Sequence, residues 1–175
     1  MLDLHRTRCP ITGKLHVPDE CKLLSSVLQT VAMLIPDMGY CQGMNYVVSS
    51  LYSFVKDEEL TFNLFISLLV HKDLKCLYSN NVPEYHVRCF MLDQLIKEHI
   101  PDLFLYFKRL GLSPEVITGQ WLMTFFCGYF NYPNILAILD NFFLDDWVAV
   151  FRISLALLQK FKEELMLNTD IAYVA

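Results

Sequence analysis

The chain is 175 residues long, 54% hydrophobic and only 19% charged, with a formal net charge of −5. That length suits one domain with a sizeable core, and the composition excludes a disordered chain. No Lys/Arg-rich run occurs anywhere, which excludes the basic face that nucleic-acid phosphates demand.

Residues 1–18 contain Pro10, Gly13 and Pro18 without a hydrophobic period and read as a loop. Asp19 reads as the N-cap of a first helix, with Leu24, Val27, Leu28, Val31, Leu34 and Ile35 on one stripe. Pro36 ends that helix, and Asp37-Met38-Gly39 forms a bend into Tyr40-Cys41-Gln42-Gly43-Met44-Asn45. Met44, Val47, Val48, Leu51, Tyr52 and Val55 make the next stripe. Asp57 caps a third helix that is apolar on most faces through Val70 and is therefore expected at the centre of the core.

Residues 72–81 read as an irregular connection. Pro83 opens a helix that Val87, Met91, Leu95 and Ile96 continue until Ile100-Pro101. Leu103, Phe104, Phe107 and Leu110 form a shorter helix stopped by Gly111. Ser113-Pro114-Glu115 is a strong helix start: a capping hydroxyl, a proline in the first turn and an early carboxylate. Ile117, Trp121, Phe125 and Cys127 lie on or beside the buried face that follows. Asn131-Tyr132-Pro133-Asn134 reads as a turn, and a further helix runs toward Phe143. Asp145 and Asp146 open the last helix, with Val148, Phe151, Leu155, Leu158 and Phe161 packing inward. No alternating strand pattern and no repeat of fixed period occurs. The expected fold is all-α, an irregular domain of roughly eight or nine packed helices.

Val116 to Leu139 carries no charged residue, and about 20 apolar residues suffice to span a bilayer. Gly119, Gln120, Asn131, Pro133 and Asn134 interrupt the run, which favours two buried helices over an integral membrane fragment. The six cysteines form no C-x-x-C and meet no histidine pair at zinc spacing, so no metal site is expected. Their even number leaves a disulfide set open, while their place in apolar helical runs favours reduced thiols and an intracellular chain. Asp3, His5 and Arg6 break up the start, and no apolar run follows, so no secretory signal is expected. No G-x-x-x-x-G-K-[ST] occurs, and the serines lack a G-x-S-x-G setting.

Two short patterns remain. Asp3-Leu4-His5-Arg6-Thr7 reads D-x-x-R-T, and Tyr40-Cys41-Gln42 reads Y-x-Q in a bend bounded by Gly39 and Gly43. From the residues alone, Arg6 could be a solvated arginine and Gln42 an amide that satisfies a helix start. Together the patterns resemble the signatures of the TBC-domain family, GTPase-activating proteins for Rab GTPases. Trp121-Leu122-Met123-Thr124-Phe125-Phe126 is similar to that family's W-F-L-T-L-F segment, and Phe151 to Leu158 to its late helix. Asp140 sits where the family has Trp-Asp, with Leu139 departing from the Trp.

The resemblance covers nearly the whole chain and implies that Arg6 and Gln42 are the catalytic arginine and glutamine. Asp3, Thr7, Tyr40 and Gly43 would support their loops. The partner would be a Rab-type small GTPase that carries GTP and Mg²⁺, with no cofactor of this chain's own and no stand-alone activity. The resemblance further implies a cytoplasmic protein in vesicle trafficking, recruited to endomembranes through its partners. The alternative is a non-catalytic helical module that binds a GTPase or serves as a scaffold. Family domains have helices before and after this stretch, so residues 1–175 are expected to be one TBC domain incomplete at both ends.

Overall fold

Prolines mark where the helices begin. Pro18, Pro83, Pro101, Pro114 and Pro133 each stand in the first turn of a helix, where a missing N–H leaves no bond unmade. The computed structural model describes residues 3–79 and 83–167. Within them a single 3-10 turn, Asp3–Arg6, precedes nine helices and no strand. The helices are α1 (Pro18–Leu34), α2 (Met44–Val55), α3 (Glu58–His71), α4 (Leu74–Tyr78), α5 (Pro83–His99), α6 (Pro101–Arg109), α7 (Pro114–Thr124), α8 (Tyr132–Asp145) and α9 (Trp147–Leu167). The fold is all-α, as the periodicity predicts.

Helix α2 packs against α1, α3 and α7, and α5 packs against α4, α6, α7 and α9. Helix α2, and not α3, is the central element. Met44, Asn45, Val47, Val48, Ser49, Ser50, Leu51 and Ser53 of α2 are all buried. Its small serines let neighbours approach from several sides, and their hydroxyls are satisfied: Ser50 donates to the Tyr46 carbonyl and Ser49 bonds His16. The apolar residues of α3 ring the helix, yet only Thr61, Phe65, Leu68 and Leu69 turn inward, while Leu60 and Val70 stay exposed.

The other differences from the sequence reading are local. Val17 occupies the N-cap of α1, with Pro18 first in the helix and Asp19 in its first turn. Residues 72–81 contain the short helix α4, whose Leu74, Leu77 and Tyr78 are buried. Helix α5 buries Cys89, Leu92 and Ile96 and exposes Val87 and Met91. The α7–α8 connection precedes Asn131, whose side chain instead caps α8 by accepting from the Asn134 N–H at 3.3 Å. Asp145 closes α8, and α9 buries Trp147, Ala149, Val150, Phe151, Ser154 and Leu158 while Val148 and Phe161 face solvent. The uncharged 116–139 stretch thus splits into α7 and α8. No helix among the described residues is long and apolar enough to cross a membrane. All six cysteines are free thiols.

Candidate functional site

The 3-10 turn ends in Arg6, whose side chain is 52% exposed. Asp3, three residues earlier, grips one edge of the guanidinium: Oδ1 accepts from Nη2 at 2.6 Å and from Nε at 2.9 Å. Nη1 has no partner among the described residues. The second carboxylate oxygen of Asp3 accepts from the Tyr40 hydroxyl at 2.8 Å, and the Asp3 N–H donates back to that hydroxyl oxygen at 3.3 Å. Burial alone would raise the Asp3 carboxyl. The hydrogen bonds from Tyr40 and Arg6, with the guanidinium charge beside it, outweigh that and hold it below the ordinary carboxylate value. Asp3 therefore stays ionised at neutral pH, which keeps the arginine in place. Burial, reinforced by the Asp3 carboxylate, pushes the Tyr40 phenol well up, so it remains a donor.

The second segment reaches the same region from the end of α1. Gly43, immediately before α2, has φ 114°, and a Cβ there would lie 2.7 Å from the Met123 carbonyl oxygen. Only glycine lets the chain pass so close to α7 in this conformation. Gln42, one residue earlier, is exposed, and no hydrogen bond among the described residues takes up its amide.

One buried side chain joins the two segments. Asn45, in the first turn of α2 and fully buried, donates from Nδ2 to Thr7 Oγ at 2.7 Å. Its Oδ1 accepts from the Gly43 N–H at 3.1 Å and lies 3.3 Å from the Tyr40 hydroxyl. Thr7, also fully buried, passes its own proton to the Asp3 carbonyl at 2.9 Å. The sequence reading missed Asn45. No signal in the sequence separates a buried, bonded asparagine in an apolar helix from one turned outward.

Arg6 and Gln42 line one open cleft of about 560 Å³. Cys41, Gly43 and Tyr46 share their side of it. The far wall carries Tyr85 of α5, Glu115, Gly119 and Gln120 of α7, and Tyr129. The Tyr129 hydroxyl donates to Gln120 Oε1, and His86 Nδ1 lies 3.1 Å from Glu115 Oε1 at the rim. Nothing in the sequence pattern marked this wall. Of the six residues singled out from the sequence, Arg6, Gln42 and Gly43 meet at the cleft, and Asp3, Thr7 and Tyr40 stand behind it in the network.

A second polar chain is closed to substrate. Ser49 Oγ lies 2.6 Å from His16 Nε2, and His16 Nδ1 lies 2.8 Å from Glu20 Oε2. Ser49 and His16 are both buried, so the trio clamps the N-terminal loop onto α1 and α2 and offers no nucleophile. Among the described residues no cluster of His, Cys, Asp or Glu could hold a metal ion.

The fold and the cleft define an all-helical domain that exposes a held guanidinium and an unengaged amide on one open cleft. A family model, the Rab-GTPase-TBC domain, matches residues 1–166, and the chain belongs to this family of Rab GTPase-activating TBC domains. It is 30% identical over 145 residues to the human ecotropic viral integration site 5 protein homolog, covering 83% of this chain and 18% of that protein. It is 28% identical over 164 residues to the GTPase-activating protein GYP5 of Saccharomyces cerevisiae, covering 94% of this chain and 18% of that protein. Among solved structures, the Chlamydomonas flagellar RabGAP TBC domain superposes with a TM-score of 0.78 at 23% identity, covering 91% of this chain and 53% of that one. At that identity the likeness speaks to the fold. The chain thus spans less than a fifth of the length of these two relatives and about half of the solved chain.

Proposed function

We propose that this domain stimulates GTP hydrolysis by a Rab-family small GTPase, supplying Arg6 and Gln42 in trans. The observation that carries the reading is that the two side chains, from separate segments, are exposed on one cleft and backed by one hydrogen-bond network. Phosphoryl transfer spreads negative charge over the γ-phosphate and leaving oxygens, and a fixed guanidinium neutralises it. Asp3 holds the Nε edge of Arg6, so the free Nη1 can be offered to that charge. Gln42 has both a donor and an acceptor, which is what holding an attacking water in line requires. GTP and Mg²⁺ arrive with the partner. Names such as that of the Rab GTPase-activating protein tbc-11 of Caenorhabditis elegans support a Rab as that partner. The same proposal places the domain in vesicle trafficking, in the cytoplasm, with endomembranes reached through partners.

The test is single-turnover GTP hydrolysis by a panel of GTP-loaded Rab-family GTPases with the 175-residue chain. Arg6→Ala is expected to lower the stimulated rate on the order of 10³-fold. Gln42→Ala is expected to lower it on the order of 10²-fold, both with unchanged helicity. Binding of a GTP-loaded Rab without stimulation by the unaltered chain would establish the non-catalytic module instead. Undiminished stimulation by Arg6→Ala removes the arginine from the mechanism.

A further inference from the structure

We infer that Asn45 is a positioning residue that fixes the arginine and glutamine segments relative to each other. The inference rests on the reading that Arg6 and Gln42 act together on one γ-phosphate. The two residues belong to segments with no helical continuity between them, so their spacing must be set by contacts across the gap. Among the described residues Asn45 alone bonds the residue after each: Thr7 follows Arg6, and Gly43 follows Gln42.

The chemistry is specific to a carboxamide. Thr7 has spent its proton on the Asp3 carbonyl, so its oxygen can only accept, and Asn45 Nδ2 supplies the donor. The Gly43 N–H needs an acceptor, which Oδ1 supplies. An aspartate would lack the donor, and a leucine of similar size would lack both. Full burial strengthens these bonds and makes each orphaned partner costly. Tyr40 adds a second tie, from the glutamine segment to the Asp3 that grips Arg6. A displacement near 1 Å between the two groups is enough to cost about 10²-fold in rate.

A buried asparagine that only stabilised α2 would predict different kinetics, so the test is a set of rate measurements. The probe is the GTP-loaded Rab-family GTPase that responds most strongly to the unaltered chain. Asn45→Ala is expected to lower kcat on the order of 10²-fold while KM moves by less than about threefold. Thr7→Val, which removes both the acceptor for Asn45 and the donor to the Asp3 carbonyl, should fall in the same direction, and Thr7→Ser, which keeps both, should restore the rate to within about threefold of the unaltered chain. In an Arg6→Ala background the further loss from Asn45→Ala should shrink to about threefold or less, because relative placement no longer matters when one group is gone. In the isolated protein, Thr7→Val should also speed amide exchange at Gly43 several-fold, since the two are linked only through Asn45 and its neighbours.

The same fold-loss from Asn45→Ala in both backgrounds, or a change in KM alone, overturns the inference. If Asn45→Ala fails to fold, the Thr7→Val and Thr7→Ser pair and the Gly43 exchange rate decide it. Unchanged Gly43 exchange in Thr7→Val overturns the coupling. If Arg6→Ala and Gln42→Ala themselves leave hydrolysis undiminished, or no GTPase responds, the two-residue mechanism falls first and takes this inference with it. If those two variants are slow and only the coupling is absent, the mechanism stands without Asn45.

Discussion

Gly43 answers two demands at once. Its φ of 114° lies where side-chain-bearing residues are strained, and its missing Cβ makes room for the Met123 carbonyl, whose carbon would sit 3.3 Å away. That neighbour is backbone and cannot swing aside. Gly39 has φ 63° with open space where a Cβ would go, so it answers only the first demand. Gly39→Ala is expected to cost about 1 kcal/mol and Gly43→Ala about 3 kcal/mol, read from the midpoints of urea denaturation. Equal losses would show that the contact with α7 relaxes freely. The sequence marked Gly43, Arg6 and Gln42 because short patterns carry them. It could not mark Asn45, since an asparagine in an apolar stripe reads the same whether it is buried and bonded or turned outward. Tyr40 was legible as a residue that fixes the loop, but the Asp3 and Asn45 partners of its hydroxyl needed coordinates.

Among the elements, the α7–α8 connection holds the least expected conformation. Phe125 and Phe126 have φ 49° and 60°, two consecutive aromatic residues in the left-handed region. Each such residue costs roughly 1–2 kcal/mol. Burial offsets that. The Phe125 ring lies 4.6 Å from that of Phe142 and 5.6 Å from Trp147, and the Phe126 ring lies 5.5 Å from Trp121. Phe125→Ala is therefore expected to lose about 3–5 kcal/mol. Phe125→Gly should lose about 1 kcal/mol less than Phe125→Ala, because glycine lifts the left-handed penalty. The usual order, with glycine worse than alanine, measured by thermal or urea unfolding, would show that the connection is unstrained. Sequence reasoning put the turn at Asn131–Asn134 because Asn and Pro are turn formers; the turn lies earlier because aromatic packing overrides local preference. Caps were more readable, since Asp57 and Ser113 act within three residues of themselves: Asp57 accepts from the Leu60 N–H at 2.7 Å, and Ser113 from that of Glu115 at 3.3 Å. Helix α4 was missed because five residues are too few to show a period.

At the scale of the whole molecule, the high apolar fraction leaves hydrophobic side chains on the surface. Leu144 at the end of α8 is 80% exposed, Met33 72%, Phe90 63% and Phe54 62%. Between α8 and α9 runs an open groove of about 360 Å³, with Phe130, Ile138, Ile153 and Leu157 among its lining residues. The all-α class and the splitting of the uncharged 116–139 stretch into two helices were legible because both follow from period and interruption. Which apolar residues would lie outside was not, since that depends on which face of each helix finds a neighbour. The spacing of Val148 and Phe161 of α9 predicts them inward, yet they lie outward, since the helix turns Trp147, Ala149, Val150, Phe151, Ser154 and Leu158 to its neighbours instead. A net charge of −5 over 175 residues opposes association only weakly. The isolated chain is therefore expected to bind a hydrophobic dye and to self-associate at micromolar concentration, more so in sulfate, which strengthens apolar burial. Leu144→Lys combined with Phe161→Glu should weaken both effects while leaving the melting temperature nearly unchanged, because neither side chain is buried. Light scattering that shows a dye-silent monomer at all sulfate concentrations would mean that these side chains form no continuous patch and that the apolar surface is dispersed.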